Sequence, residues 1–257
     1  MFRPEPDVPA RREPKLLPEG MSGTTVDAGR PPFDPLTWTS RLALAALALT
    51  LALDVVAVVS DISYHRLIED VASGTDVSIA KAQAADDRQN TIGQVQLALF
   101  AATAVVFIVW FHRAYRNLGA LGVLRLRWGT GWAVGAWFVP FLNLVRPKSI
   151  ANDIWRGSDP DLPQEISDPN GSVPWFHTLW WVAFLADGAF SRVAARFLAD
   201  AESVSEISSA TTMLAVSDSF DIVACLLAIG VVSATTARHR RRAAVLGARA
   251  TEPERTD

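Results

Sequence analysis

The amino-acid sequence predicts an all-α fold: a polytopic membrane bundle of four transmembrane helices with a broken, tryptophan-rich segment that is re-entrant or interfacial. Two observations lead to this prediction. The hydrophobic residues make up 50% of the 257-residue chain and are concentrated in blocks, several of them as long as the roughly 20 residues that cross a bilayer. One of these blocks is interrupted by glycine and proline, both of which weaken a helix.

Four apolar blocks predict the transmembrane helices of a membrane domain at residues 38–238. Residues 1–37 are rich in proline and charge and have little apolar surface to bury, so we expect a disordered tail there. Residues 239–257 predict a second tail, basic at first and then polar. The four predicted spans cover residues 39–60, 92–111, 175–197 and 212–236.

The tryptophan-rich segment, residues 128–147, decides the topology. Short loops rich in Lys and Arg stay in the cytoplasm. If this segment does not cross, residues 112–127 and the cluster at 238–242 both face the cytoplasm, whereas a fifth crossing places one basic segment outside. We therefore expect a re-entrant segment and two cytoplasmic termini, with a kinked ordinary span as the alternative. Residues 148–157 after it predict an amphipathic helix in the membrane interface.

Five ionisable residues fall inside the predicted spans, where a charge costs about 2.5–3.5 kcal/mol on insertion scales. At a rise of about 1.5 Å per residue, Arg192 reaches the depth of Asp218 and Asp221, so we expect an ion pair with one of them. This pair is either a structural lock, or part of a proton or ion site that includes Asp54 and Asp187. The five residues are Asp54, Asp187, Arg192, Asp218 and Asp221.

The basic segment after the second predicted span contains no acidic residue. Such a segment binds lipid phosphate or an acidic partner, or it acts only as a topological anchor. Its candidate partner- or lipid-binding residues are His112, Arg113, Tyr115, Arg116, Arg125 and Arg127.

Several functional classes are disfavoured by composition and motif. The formal net charge of −3 argues against a nucleic-acid partner. The single cysteine, Cys225, excludes an internal disulfide and a cysteine-pair metal site, and we expect it to be a small buried hydrophobe. Phosphate loops, HExxH and a Ser/His/Asp signature are absent from the sequence. We therefore expect no enzymatic activity, catalytic residue, cofactor or metal site.

Two runs, FHRAYRNLGALG at residues 111–122 and RWGTGWAVGAWFVPFLNLVRPKSIANDIWRGS at 127–158, resemble the bacterial family called domain of unknown function 4328. The resemblance spans about residues 40–240. It implies a multi-span membrane protein of bacteria with GC-rich genomes and implies no activity. The residues that carry the pattern are Arg113, Arg116, Asn117, Trp128, Trp137, Phe138, Pro140, Asn143 and Pro147.

We expect a multi-pass protein of the bacterial cytoplasmic (inner) membrane, and two functions remain open for it. The first is a non-enzymatic envelope scaffold that binds another membrane protein or anionic lipid through its cytoplasmic face. The second is a small transporter or channel component that uses the broken segment and the intramembrane carboxylates. A continuous polar cavity joining Asp54, Asp187 and Asn143 would indicate transport, whereas a dry, tryptophan-packed interior would indicate a scaffold.

Overall fold

A computed structural model describes residues 32–200 and 203–251, and the regular structure within these ranges is helical. Four helices are long, and the remaining two lie between the second and third of these. In chain order the helices are α1 (Thr37–Ala72), α2 (Ile79–Ala120), α3 (Trp132–Gly135), α4 (Arg146–Gly157), α5 (Trp175–Ala199) and α6 (Val204–Thr251).

Three helices are long and apolar enough to cross a membrane: α1, α2 and the Ser205–Thr251 part of α6. The all-α prediction is therefore confirmed, together with an apolar composition suited to a membrane. Helix α5 is not among the three, and it carries Asp187, Arg192 and Arg196 between its apolar residues. A fourth crossing remains a prediction.

The first two long helices extend well beyond the predicted spans. They are joined only by residues 73–78, where Gly74 takes a left-handed φ of 80° after the end of α1. The Ser78 hydroxyl accepts from the backbone N–H of Lys81 and so caps the start of α2. Helix α6 likewise continues to Thr251, through the first part of the predicted tail.

Helix α6 is the centre of the bundle and packs against both α1 and α5. Consecutive long helices are antiparallel. Thr50 and Tyr64 of α1 bond to Thr103 and Asp86 of α2, and Phe190 of α5 stacks on Phe220 of α6. The bundle therefore has an acid-rich end around residues 69–87, which include Glu69, Asp70, Asp76, Asp86 and Asp87. Its other end is arginine-rich and is formed by the C-terminal part of α2, α4 and residues 238–242.

The last residues of the predicted disordered tail are packed against the arginine-rich end. The carboxylate of Asp34 accepts from Arg113 and Arg116, and Leu36 is buried. Two arginines and a buried leucine supply the contacts that a disordered segment lacks, so the prediction is wrong from residue 32 onward. Residues 1–31 lie outside the part of the chain that the structure describes.

The segment of residues 128–147 folds back on itself. Helix α3 and a 3₁₀ turn at Leu142–Leu144 take the place of a continuous helix, and Phe141, after Pro140, has a φ of 63°. The guanidinium of Arg146 lies over the rings of Trp128 and Trp132, so the two ends of the segment meet. Helix α4 follows directly and buries Ile150 and Ile154, on the apolar face that the sequence predicts.

Arg242 ties two loops to the arginine-rich end. Its buried guanidinium donates to the carbonyl oxygens of Leu121 at 2.7 Å, Asp159 at 2.7 Å and Pro163 at 3.0 Å. Gly122, next to the first of these, has a φ of 87°, and a Cβ there would lie 2.0 Å from the Gln164 carbonyl oxygen. Only glycine fits this close approach.

Candidate functional site

Carboxyl groups from α1 and α6 meet as two pairs near the middle of the bundle. Asp54 lies against Asp221, and Asp61 lies against Asp218. Asp54 and Asp61 are seven residues apart, which is about two helical turns, so both point from the same face of α1. Because α6 runs antiparallel to α1, its two carboxyl groups meet them in reverse order.

Two glutamines of α2 donate to these pairs. The Gln96 amide nitrogen lies 3.3 Å from Asp54 Oδ1 and 3.3 Å from Asp218 Oδ1. Gln89 is seven residues earlier on the same face and donates to Asp61 Oδ1 at 2.7 Å. Helix α2 therefore supplies the hydrogen bonds that join the two carboxyl pairs.

Each pair still has a buried oxygen without a donor. Asp54 is 1% exposed and Asp61 is 5% exposed, and the Oδ2 atoms of both lack a hydrogen-bond donor among residues 32–200 and 203–251. A buried charged oxygen without a partner is costly. Two facing carboxylates have no hydrogen of their own to share. A proton or another cation between them is what makes this arrangement stable.

Asp187 and Cys225 border the Asp54–Asp221 pair. Asp187 lies within electrostatic range of Asp221 and accepts from Ser217 at 3.2 Å and from Ser191 at 3.3 Å. Cys225 is one helical turn after Asp221, and its sulfur lies 3.9 Å from Asp221 Oδ1. The structure thus brings together the three carboxyl groups that the sequence assigned to a proton or ion site.

The predicted ion pair of Arg192 with Asp218 or Asp221 is wrong. The guanidinium of Arg192 donates to the Gly188 carbonyl of its own helix and forms no ion pair with any residue that the structure describes. The face of α5 that packs on α6 holds Asp187, Ser191 and the buried Ala194. Arg192 is turned about 100° from Ser191 around the helix, which leaves it exposed.

A polar ladder leads from the acid-rich end to the Asp54–Asp221 pair. Arg88 donates to the Ser60 hydroxyl at 2.9 Å, and Ser60 donates to the Gln89 side-chain oxygen at 2.6 Å. From there the chain of polar contacts continues inward through the glutamines and the carboxyl pairs. The polar ladder consists of Arg88, Ser60, Gln89, Asp61, Asp218, Gln96, Asp54 and Asp221.

An apolar cavity and an aromatic plug close the inner end of the ladder. The cavity has a volume of about 250 Å³, with Asp221 and Cys225 in its wall and aromatic side chains around much of the rest. Asn143 does not line it. Trp137 is central to the plug, with ring centres of Phe107, Trp181 and Phe184 each 5.9 Å away. The aromatic plug consists of Phe107, Phe111, Trp137, Trp180, Trp181 and Phe184.

The candidate partner-binding residues lie at the arginine-rich end, where most of them hold the fold together. Arg113 and Arg116 bind Asp34, and His112 Nδ1 lies 3.2 Å from the Thr130 carbonyl oxygen. The Arg127 guanidinium is 3.7 Å from the Asp153 carboxylate, and burial raises the pKa of that carboxyl. Arg125 is exposed.

Tyr115 anchors the start of the folded-back segment. Its hydroxyl donates to the Trp128 carbonyl and accepts from the Trp128 N–H, both at 3.0 Å. Burial raises the pKa of Tyr115, so the hydroxyl keeps its proton for this bond. Tyr115 is therefore a positioning residue for the segment.

The first three residues of the resemblance motif, Arg113, Arg116 and Asn117, all donate to Asp34, and the other six divide into two groups. Trp128, Trp137 and the buried Pro147 pack inside the protein. Phe138, 72% exposed, lies with Pro140 and Asn143 around the turn of the folded-back segment. The motif thus specifies a packed base and an exposed apolar tip.

Sequence reasoning missed Asp61, Gln89 and Gln96, and it gave Cys225 only a packing role. A signal for the first three was present. Asp54 and Asp61 are spaced by seven residues, and so are Gln89 and Gln96, which places each pair on one helical face. Nothing in the local sequence indicated that the two faces meet.

The fold and the site define a helical protein of membrane type, with carboxyl pairs buried between long apolar helices. The family model described as Domain of unknown function (DUF4328) matches residues 73–237, and the chain belongs to this family, as the resemblance implied. The comparisons with curated proteins and with solved structures give no match. The matched residues include Gln96, Asp187, Asp218 and Asp221, whereas Asp54 and Asp61 precede residue 73 and lie outside the match.

Proposed function

We propose that this chain is a multi-pass membrane protein that binds a cation among its buried carboxyl groups, as a small transporter or channel component does. The observation that carries this proposal is the double pair Asp54–Asp221 and Asp61–Asp218, in which Oδ2 of Asp54 and Oδ2 of Asp61 are buried and lack a donor within the described ranges. Ionisable groups inside membrane segments mark ion or proton pathways. Asp187 adds a third acidic side chain beside the Asp54–Asp221 pair.

For the topology we propose four crossings by α1, α2, α5 and α6, in a bacterial inner membrane with both termini in the cytoplasm. Residues 128–147 re-enter from the cytoplasmic side. The contact of Arg146 with Trp128 supports a return to the same side, and lipid covers the exposed Phe138 and Phe141. The polar ladder then opens toward the outside of the cell.

A second function, a membrane scaffold, is supported by the aromatic plug. The cavity beside Asp221 is mainly apolar, and Asn143 is not among the residues that line it. In this conformation the aromatic plug closes the inner end of the polar ladder, which favours cation binding over ion conduction. Arg116, Arg125 and Arg127 are exposed at the arginine-rich end and have the charge to contact anionic lipid or an acidic partner.

The proposal is tested by cation-dependent stability of the full-length protein in detergent. A ligand that binds only the native state raises its stability, by about 2.7 kcal/mol at 100 times Kd. After removal of bound metal by a chelator, we expect at least one of Na⁺, K⁺, Mg²⁺, Ca²⁺ or Zn²⁺ to raise the unfolding midpoint.

Asp54→Asn combined with Asp221→Asn should remove this response, whereas the exposed control Asp70→Asn should retain it. The proposal is contradicted if no cation shifts the midpoint of the wild-type protein, or if the double variant responds like wild type.

A further inference from the structure

We propose that Asp54, Asp221 and Cys225 together bind a borderline-soft divalent metal ion such as Zn²⁺, and that the Cys225 thiolate selects it. This inference rests on the proposed function and adds the class of cation to it. The three residues come from two helices, α1 and α6, that are packed against each other.

The three side chains already form a ligand set. One carboxylate oxygen of each aspartate and the Cys225 sulfur all lie within 4.8 Å of one another. Asp221 and Cys225 are four residues apart and share the face of α6 that meets Asp54. Zn²⁺ binds carboxylate oxygen at about 2.0–2.2 Å and cysteine sulfur at about 2.3 Å, so side-chain shifts of about 1 Å complete the set.

An unsatisfied buried atom points independently to a ligand. Gln96 occupies Oδ1 of Asp54, so Oδ2 is the oxygen left to bind a ligand. This Oδ2 has no donor among the residues described, in a side chain that is 1% exposed. A proton satisfies the carboxyl pair alone, whereas a metal ion engages Oδ2, the Asp221 carboxylate and the sulfur at once. The cavity that borders Asp221 and Cys225 leaves room for a fourth ligand such as water.

The donor set discriminates between cations. Ca²⁺ takes 6–8 oxygen ligands, and Mg²⁺ requires octahedral oxygen coordination. A thiolate with two carboxylates instead suits a borderline ion such as Zn²⁺ or Co²⁺. Binding releases one proton from the Cys225 thiol and one from the carboxyl pair. Because two protons leave when the divalent ion binds, the net charge of this buried site does not change.

The Asp61–Asp218 pair provides a comparison within the same protein. Asp61 and Asp218 make the same carboxyl contact but have no sulfur ligand in the described part of the chain. This pair therefore lacks the soft donor that the proposed selectivity requires.

The test uses the full-length protein, free of any affinity tag, with Co²⁺ as the spectroscopic probe. Cys225 is the only cysteine in the sequence, so a sulfur-to-cobalt charge-transfer band reports this site alone. We expect the band in the wild type and in the exposed control Asp70→Asn, and its loss in Cys225→Ser. Asp54→Asn and Cys225→Ser should each weaken Zn²⁺ binding by more than about 100-fold, which is the upper end of what the loss of an outer-shell partner costs.

The outcomes separate this inference from the proposed function. If cations stabilise the wild type but no charge-transfer band forms, or Cys225→Ser binds Zn²⁺ as tightly as wild type, the thiolate site is refuted while cation binding stands. If Mg²⁺ binds as tightly as Zn²⁺, the proposed selectivity is refuted. If no cation binds, both proposals fail. Cys225→Ala replaces Cys225→Ser if the serine variant does not fold.

Discussion

The guanidinium carbon of Arg146 lies 4.3 Å from the ring centre of Trp128, at the opposite end of the folded-back segment. The same group lies 4.1 Å from the ring centre of Trp132, so one cation is shared between two indole rings. Indole faces attract cations through the negative charge of their π-systems. This contact closes the segment of residues 128–147 at its base.

Removing this cation should loosen the base of the segment. A cation–π contact is worth about 0.5–1 kcal/mol when exposed and about 2 kcal/mol when desolvated. We expect Arg146→Leu to lower the free energy of unfolding by about 1–2 kcal/mol, measured by thermal unfolding in detergent. Arg125→Leu removes an exposed arginine nearby and should leave stability nearly unchanged. Equal effects of the two substitutions would contradict the role of the contact.

The proposed re-entrant topology predicts that Arg125 and Asn170 face the same side of the membrane. Both residues are exposed and flank the folded-back segment. In a Cys225→Ser background, we expect single cysteines at these positions to react with an impermeant maleimide only after the cells are permeabilised. A cysteine at Asp70, near the acid-rich end, should react in intact cells. Labelling of Arg125→Cys and Asn170→Cys from opposite sides would establish a full crossing.

Gln96 is predicted to stabilise the carboxyl pairs through its two hydrogen bonds. Gln96→Leu removes the donor to Asp54 and Asp218 and leaves both oxygens without it. A buried polar group that loses its partner costs about 1–3 kcal/mol, so we expect a loss of about 2 kcal/mol in the free energy of unfolding. Gln94→Leu, at an exposed position two residues earlier, is the control and should be close to neutral. Equal stability of Gln96→Leu and Gln94→Leu would show that the hydrogen bonds of Gln96 contribute nothing to the free energy of unfolding.

The burial of His239 predicts that the free energy of unfolding depends on pH. Burial holds the pKa of His239 at about 4, against an ordinary value of 6.5, while its ring nitrogens face the Ser158 hydroxyl and the Ala114 carbonyl. Below pH 6.5 the unfolded chain takes up a proton here that the folded chain refuses until about pH 4. The stabilisation is therefore complete above pH 6.5 and is lost as pH falls toward 4, by an amount on the order of 3 kcal/mol.

A neutral replacement isolates this contribution. His239→Gln should flatten the fall of the unfolding free energy between pH 6.5 and 4, whatever its effect at neutral pH. An unchanged slope in His239→Gln would show that other groups cause the acid sensitivity.

Much of the helical content could be predicted because hydropathy and helix-breaking residues are local signals. The apolar runs that begin near Trp38 and Ile92 lie within α1 and α2, and Pro140 marks the break in residues 128–147. The helix ends near residues 73–78 were not predicted, since the polar residues after the first apolar run and those before the second are helical as well. Asp34 was assigned to a disordered tail because its arginine partners lie far along the chain.

The linear order of residues was sufficient to establish an apolar helical protein with several acidic side chains inside its helices, because composition and spacing are properties of neighbouring residues. It was not sufficient to say which charges meet. Asp54 finds Asp221 and Gln96, and Arg192 is left on an outer face, because these contacts depend on how each helix is rotated and which helix packs beside it. Rotation and packing are set by the whole bundle, so the meeting of the carboxyl pairs is a product of the three-dimensional fold.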